Sequence, residues 1–449
     1  MSDGSLSREL LADLSRGLAG TADSPAPPAP GETGARQPAH TVYGGAHLFT
    51  RDSAPKLGAV AMRYLIEYAA GPDDLADAVG LVPADLAAAV HGRVAAKLER
   101  EPVEDFRIDF EDGFGNRPDA EEDEAALAAA RETAAGMDAG TLPPFLGIRI
   151  KPLSAELSPR ALRTLDLYLT ALATRTGGRL PGGFVVTLPK VVAAGQVTAL
   201  VRALAALEET LAIEPGALRF EIMVETPRSI VAADGTCPLP RFVEAGAGRC
   251  VGAHFGVYDF TASTSITARY QLMRHPVCDL ARQVMLVALS GTGLMLSDGA
   301  TNVLPIPRHR TPDGGALDER RRGENRAAVH DAWRLHYDDI RHSLVNGFYQ
   351  GWDLHPGQLV TRYAALYAFF LESLDAAADR LGHFIERAAQ ATLTGDVFDD
   401  AATGQGLLTF FLRGLACGGL TEEEAARTGL TLDELGTRSF TAILEGRAG

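Results

Sequence analysis

Positive charge is scarce in this 449-residue chain: 42 lysines and arginines stand against 58 aspartates and glutamates, a formal charge of −16. That balance repels phosphate backbones and anionic lipid surfaces, so neither nucleic acid nor a membrane is expected as a partner. Cysteine is scarcer still. The four present, Cys237, Cys250, Cys278 and Cys417, show neither CxxC pairing nor the density of a disulfide scaffold, and reduced, mostly buried thiols are expected. No uncharged apolar run reaches the ~18 residues of a membrane span, and the N-terminus lacks a basic stretch followed by an apolar one. A cytoplasmic protein is the expectation. What the chain does hold is 46% hydrophobic residues, enough at this length for one full core with additions or for two domains.

Residues 1 to about 38 read as a leader, a short amphipathic stretch followed by the proline-rich DSPAPPAPGETGARQP. Beyond it, short β-rich runs alternate with longer Ala/Leu-rich stretches of helical spacing. The runs are TVYGGAHLF (41–49), DFRIDFE (105–111), FLGIRIK (145–151), FVVTLPK (184–190), RFEIMVE (219–225), CVGAHFG (250–256), GLMLS (293–297) and GFYQGWDL (347–354). Eight strands each followed by a helix is the count that closes a TIM (β/α)8 barrel, expected here over residues 39–388. One helix is expected to start with Ser158 as its N-cap. The stretch 52–100 carries two helical patterns in excess of the barrel and reads as an insertion. Residues 389–449 read as a helical extension, with capping-box starts at Thr421 with Glu424 and Thr431 with Glu434.

In FRIDFEDG a period of two places Phe106, Ile108 and Phe110 on one face and Arg107, Asp109 and Glu111 on the other. The same alternation gives Arg149 and Lys151 in GIRIKP, and Glu221, Met223 and Glu225 in FEIMVE, while Asp259 falls just past a strand end. Carboxylates facing a barrel interior require compensation, because an unpaired buried carboxylate is costly or becomes neutral. Strand C-termini of such a barrel converge on one rim, which gathers Glu111, Asp112, Arg149, Lys151, Glu225 and Asp259. Two carboxylates from neighbouring strands suit Mg²⁺ or Mn²⁺, with Arg149 as a fixed cation for an oxyanion.

At these residues the chain resembles the superfamily of the citrate lyase beta subunit, the malyl-CoA lyases and the metal-dependent 2-oxoacid aldolases, pyruvate/phosphoenolpyruvate-type TIM barrels. DFEDG (109–113), GIRIKP (147–152), TLPKV (187–191), VETP (224–227), FGVYDF (255–260) and DLHPGQ (353–358) are similar to the superfamily's motifs and occur in its order. The resemblance implies Glu225 and Asp259 as metal ligands and Arg149 as the group that steadies an enolate oxygen. Asp112 stands where the aldolase branch has a histidine, so a histidine base is not implied. Related lyases close their sites with C-terminal segments, and the tail is accordingly expected to cover the barrel mouth of its own or a neighbouring subunit in a homo-oligomer.

The expected function is a Mg²⁺- or Mn²⁺-dependent carbon–carbon lyase or aldolase acting on a small 2-oxo or 2-hydroxy acid through an enolate held at the metal. Asp109, Glu111, Asp112 and Arg149 are the candidate catalytic residues, Arg149 and Lys151 the candidate substrate contacts, and Glu225 and Asp259 the candidate metal ligands. The partner is a small anionic substrate. Two alternatives stand beside this: a CoA-thioester lyase or thioesterase of the malyl-CoA or citrate lyase type, and a non-catalytic oligomeric barrel serving as scaffold or ligand sensor.

Overall fold

The alternating runs form parallel strands that close on themselves. The structure, a computed structural model, describes residues 35–81, 84–311, 316–386, 392–394, 397–399 and 401–448. The strands are β1 (His40–Gly45), β2 (Asp105–Asp109), β3 (Phe145–Arg149), β4 (Val185–Leu188), β5 (Arg219–Val224), β6 (Cys250–Phe255), β7 (Met295–Ala300) and β8 (Gln350–Asp353). They pair in chain order, and β8 returns to β1, giving the expected TIM barrel. Strands end earlier than the alternation suggests: β2 stops at Asp109 and β3 at Arg149. Glu111 and Lys151 therefore lie in loops, where a period of two no longer dictates which way a side chain points.

Helices fill the intervals. Three of them, Ser53–Tyr68, Pro72–Val79 and Ala84–Arg100, lie between β1 and β2, where two helical patterns are read in the sequence. The helix Ser158–Thr176 begins one residue earlier than expected. Its N-cap is Leu157, without a side-chain cap bond, and Ser158 is its first helical residue. Among the described residues no helix is long and apolar enough to cross a membrane. The four cysteines are free thiols, three of them buried.

Beneath the rim the barrel interior is a charged network. Arg107 donates from Nε and Nη2 to the two carboxylate oxygens of Glu221 at 2.8 and 2.9 Å, and from Nη1 to Asp105. Thr41 Oγ1 donates to Asp105 at 2.8 Å, and His254 Nε2 lies 3.0 Å from Glu221. Gly147 makes this possible: a Cβ there would fall 2.3 Å from the Val185 carbonyl oxygen and 3.0 Å from Arg107 Cδ. Against the upward push of burial, Arg107 and His254 hold the Glu221 carboxyl well below its usual range. Removing one partner of such a pair strands a buried charge, at about 3–5 kcal/mol.

Both expected capping boxes form in the tail, with Glu424 N donating to Thr421 Oγ1 at 3.2 Å and Glu434 N to Thr431 Oγ1 at 3.2 Å. Among the described residues the tail does not lie over its own barrel mouth, which corrects the own-subunit half of the expectation; the neighbouring-subunit half concerns an assembly of several chains. Gln37 N, just before β1, donates to the Ala416 carbonyl at 2.9 Å, and the Arg413 guanidinium lies 5.2 Å from the ring of Tyr349, just before β8. Both contacts are at the N-terminal ends of the strands, opposite the rim. The apolar residues of the tail find their surface on the helices Gln358–Leu371 and Leu374–Glu386, through Phe410 against Phe370 and Phe440 stacked on Phe384. The expected leader lies outside the described residues except for its last four, where Arg36 Nη1 donates to Glu101 at 3.1 Å.

Candidate active site

Parallel pairing sets Asp109 of β2 level with Arg149 of β3. Both side chains point into the barrel mouth, and the register makes a two-pronged pair: Arg149 Nε donates to Asp109 Oδ1 at 2.7 Å and Nη2 to Oδ2 at 2.5 Å. Asp109 is held from its other side by the backbone N–H groups of Glu111, at 2.9 Å, and Gly113, at 2.7 Å. Arg149 Nη1 lies 3.1 Å from Glu111 Oε2 and 3.7 Å from Asp112 Oδ2. The guanidinium sits 4.8 Å from the Tyr43 ring centroid and 5.9 Å from that of Trp352, a geometry in which ring faces attract a cation. Its orientation is fixed from four sides.

Glu225 follows β5 and is buried, with Oε1 accepting the Lys190 backbone N–H at 2.7 Å. Gly256 lets the chain pass: a Cβ there would fall 2.6 Å from Glu225 Cβ and 2.8 Å from its Oε2. Asp259 lies in the first turn of the helix Val257–Ser263, half-exposed above Glu225. Lys190, in the loop after β4, reaches into this group. Its Nζ contacts Glu111 and lies 3.6 Å from Asp112 Oδ1 and 3.8 Å from Asp259 Oδ2. Burial pushes the Glu225 carboxyl up to about 8; Arg149 and Lys190 pull it down, and the Glu111 and Asp259 charges add to the push. Burial likewise raises Glu111, whereas Arg149 and Lys190 outweigh burial at Asp112 and hold it below its usual range.

A cavity of about 320 Å³ opens among Tyr43, Asp109, Asp112, Arg149, Glu225 and Asp259. Of the residues singled out in the sequence, Asp109, Asp112, Arg149, Glu225 and Asp259 line it, and Glu111 stands behind Arg149. Lys151 does not join them. Because β3 ends at Arg149, Lys151 turns away and donates to the Phe110 carbonyl at 2.7 Å, with its Nζ 3.0 Å from Glu122 of the helix Asp119–Ala139. It pins that helix to the barrel and is corrected from a substrate contact to a structural cation.

Two lining residues, Tyr43 and Trp352, are not among the candidates read from the sequence. Their signal is the alternation that gave the carboxylates: Tyr43 shares its inward face with Thr41, and Trp352 shares its own with Gln350. Tyr43 Oη is 3.1 Å from His254 Nδ1, and Trp352 Nε1 donates to the same nitrogen at 3.3 Å. With Nδ1 accepting, the Nε2 proton of His254 goes to Glu221, so the network below the rim fixes the tyrosine above it.

Among the described residues no group of three or more His, Cys, Asp or Glu side chains is arranged to hold a metal. The cavity offers a pair, Glu225 and Asp259.

Residues 22–443 match the model of a family described as Domain of unknown function (DUF6986). No curated protein matches the chain in sequence. Among solved structures, a citrate lyase from Burkholderia xenovorans LB400 is 18% identical, with a TM-score of 0.55 over 76% of this chain and 92% of that one. A malate synthase from Haloferax volcanii, solved with magnesium and glyoxylate, is 14% identical, with a TM-score of 0.44 over 91% of this chain and 96% of that one. What the citrate lyase shares with this chain is the barrel fold.

Proposed function

The chain belongs to the family described as Domain of unknown function (DUF6986), and we propose that it is a divalent-metal-dependent carbon–carbon lyase or aldolase acting on a small 2-oxo or 2-hydroxy acid. The observation that carries this reading is the pairing of a fixed guanidinium, Arg149 on Asp109, with a buried carboxyl, Glu225, pushed up to about 8 in the same cavity. Five carboxylates, Asp109, Glu111, Asp112, Glu225 and Asp259, surround two cations, Arg149 and Lys190, and the group is short of positive charge.

Glu225 and Asp259 fit a small hard ion, which takes one or two carboxylates and leaves its other positions to water and substrate oxygens. Bound there, Mg²⁺ or Mn²⁺ supplies Lewis-acid polarisation of the oxo and carboxylate oxygens of the substrate. Arg149 does the remaining charge work. Arg149 lines the cavity, and its N–H groups beyond the two donated to Asp109 would stabilise negative charge growing on an enolate oxygen. Asp109 orients that fork and Glu111 spaces Arg149 from Lys190. Asp112 lines the cavity and is 59% exposed; held below its usual range it is a weak base, and its part is to relay a proton between the substrate and solvent. The Tyr43 and Trp352 rings wall off the remaining side, and the space suits a small acid.

A thermal-shift screen of pyruvate, oxaloacetate, glyoxylate and acetyl-CoA, each with and without Mg²⁺, tests the reading, because a ligand of the folded state raises Tm. A 2-oxo acid that raises Tm only with Mg²⁺ is the expected result. A response to acetyl-CoA alone would move the reading to a thioester lyase or thioesterase, and no response to any would leave a non-catalytic barrel.

A further inference from the structure

Asp259, one of the two carboxylates proposed to hold the divalent ion, already has a cation near it. Lys190 Nζ contacts Glu111 and lies 3.6 Å from Asp112 and 3.8 Å from Asp259. Arg149, the other cation of the group, is committed to Asp109 by two bonds and held by ring faces, whereas the lysine side chain is 31% exposed. The backbone is bent to bring Lys190 there. Its φ of 50° lies in the left-handed region that a lysine seldom occupies. From there its backbone N–H donates to Glu225 at 2.7 Å, and its ammonium lies 3.8 Å from Asp259 Oδ2. One residue thus serves both members of the ligand pair.

We propose that Lys190 is a tethered counter-ion that competes with the divalent cation, so that metal loading displaces its ammonium from Asp259. This rests on the metal reading above and adds to it a residue that sets metal affinity. A monovalent ammonium within 4 Å of Asp112 and Asp259 neutralises charge that the ion would otherwise use, and like charges cannot share the space. Lys190 is in this sense a positioning residue: it keeps the carboxylates in place before loading and yields to the ion.

The test is calorimetric titration of the full chain and of Lys190→Met and Lys190→Arg with Mg²⁺ and Mn²⁺. Removing the ammonium is expected to tighten binding by on the order of tenfold or more, and Lys190→Arg, which keeps the charge, is expected not to. A lysine that merely shapes the loop gives the opposite sign, weaker binding in Lys190→Met. A second measurement needs no variant: the rate at which an amine acylating reagent labels Lys190 in the wild-type chain, read by mass spectrometry, is expected to rise at saturating Mg²⁺. Wild-type metal binding with equal or weaker binding in Lys190→Met, or a labelling rate unmoved by the ion, overturns this inference alone. Absence of binding in wild type and Lys190→Met together overturns the metal reading along with it.

Discussion

Arg149→Lys separates charge from geometry at the centre of the site. Lysine keeps the positive charge but replaces a planar fork by a single ammonium, so it cannot reproduce the paired bonds to Asp109 at 2.7 and 2.5 Å while also reaching Glu111, 3.1 Å from Nη1. Asp109 keeps its two backbone N–H donors, so the fold survives. One charge-assisted bond in a buried setting is lost, at about 1.5–3 kcal/mol of stability. The catalytic loss is separate. A donor aimed at an oxyanion is worth about 2.7–4 kcal/mol in the transition state, so kcat is expected to fall by about 10²–10³ with KM changing much less. The assay is steady-state cleavage of whichever 2-oxo or 2-hydroxy acid the screen identifies, at saturating Mg²⁺, alongside a denaturation curve. Wild-type kcat in a folded Arg149→Lys protein would refute the assignment of Arg149 to the enolate oxygen.

Because burial holds Glu225 up to about 8 against an ordinary value of 4.5, the folded chain binds a proton there that the unfolded chain has released, and the metal-free protein loses stability as pH rises through that window. Glu225→Gln should abolish that contribution, so the difference in Tm between wild type and variant should change across the window; a constant difference would contradict the assignment. Lys151→Met should cost about 1.5–3 kcal/mol of stability by leaving the buried Glu122 short of a partner, with turnover per folded molecule unchanged, and loss of turnover at unchanged Tm would return Lys151 to the site. Ending the chain at residue 386 should lower Tm and promote aggregation, because Phe370, Phe384 and Tyr349 lose their cover. A monodisperse truncated chain with the Tm of the full one would show that the tail is not part of the fold.

The barrel and most of the rim were legible because period-2 alternation survives wherever the strands do. Arg107, Asp109, Glu221 and Arg149 all sit on the face that the alternation assigns, and Asp109 and Arg149 meet because they are register partners. Lys151 was misplaced for the same reason in reverse: the alternation was carried two residues past the end of β3. The role of Lys190 was not legible, since it depends on a left-handed φ in a loop, which no periodicity records. Tyr43 and Trp352 were in plain view on inward faces, but nothing in the strand pattern says that their rings flank a guanidinium. The tail was legible as capped helices, while its docking site at the N-terminal face was not, because an apolar helix face specifies only that it needs a surface.

The central claim is that Glu225 and Asp259 share one divalent ion at the mouth of the barrel. Anomalous diffraction from a crystal grown or soaked with Mn²⁺ addresses it without knowledge of the substrate. The expected result is a single strong peak in the cavity beside Arg149, at about 2.1 Å from one oxygen of each carboxylate, a peak that Glu225→Gln weakens or removes. A peak elsewhere, or none at saturating Mn²⁺, would contradict the account and leave the cavity as a site held together by its own arginine and lysine.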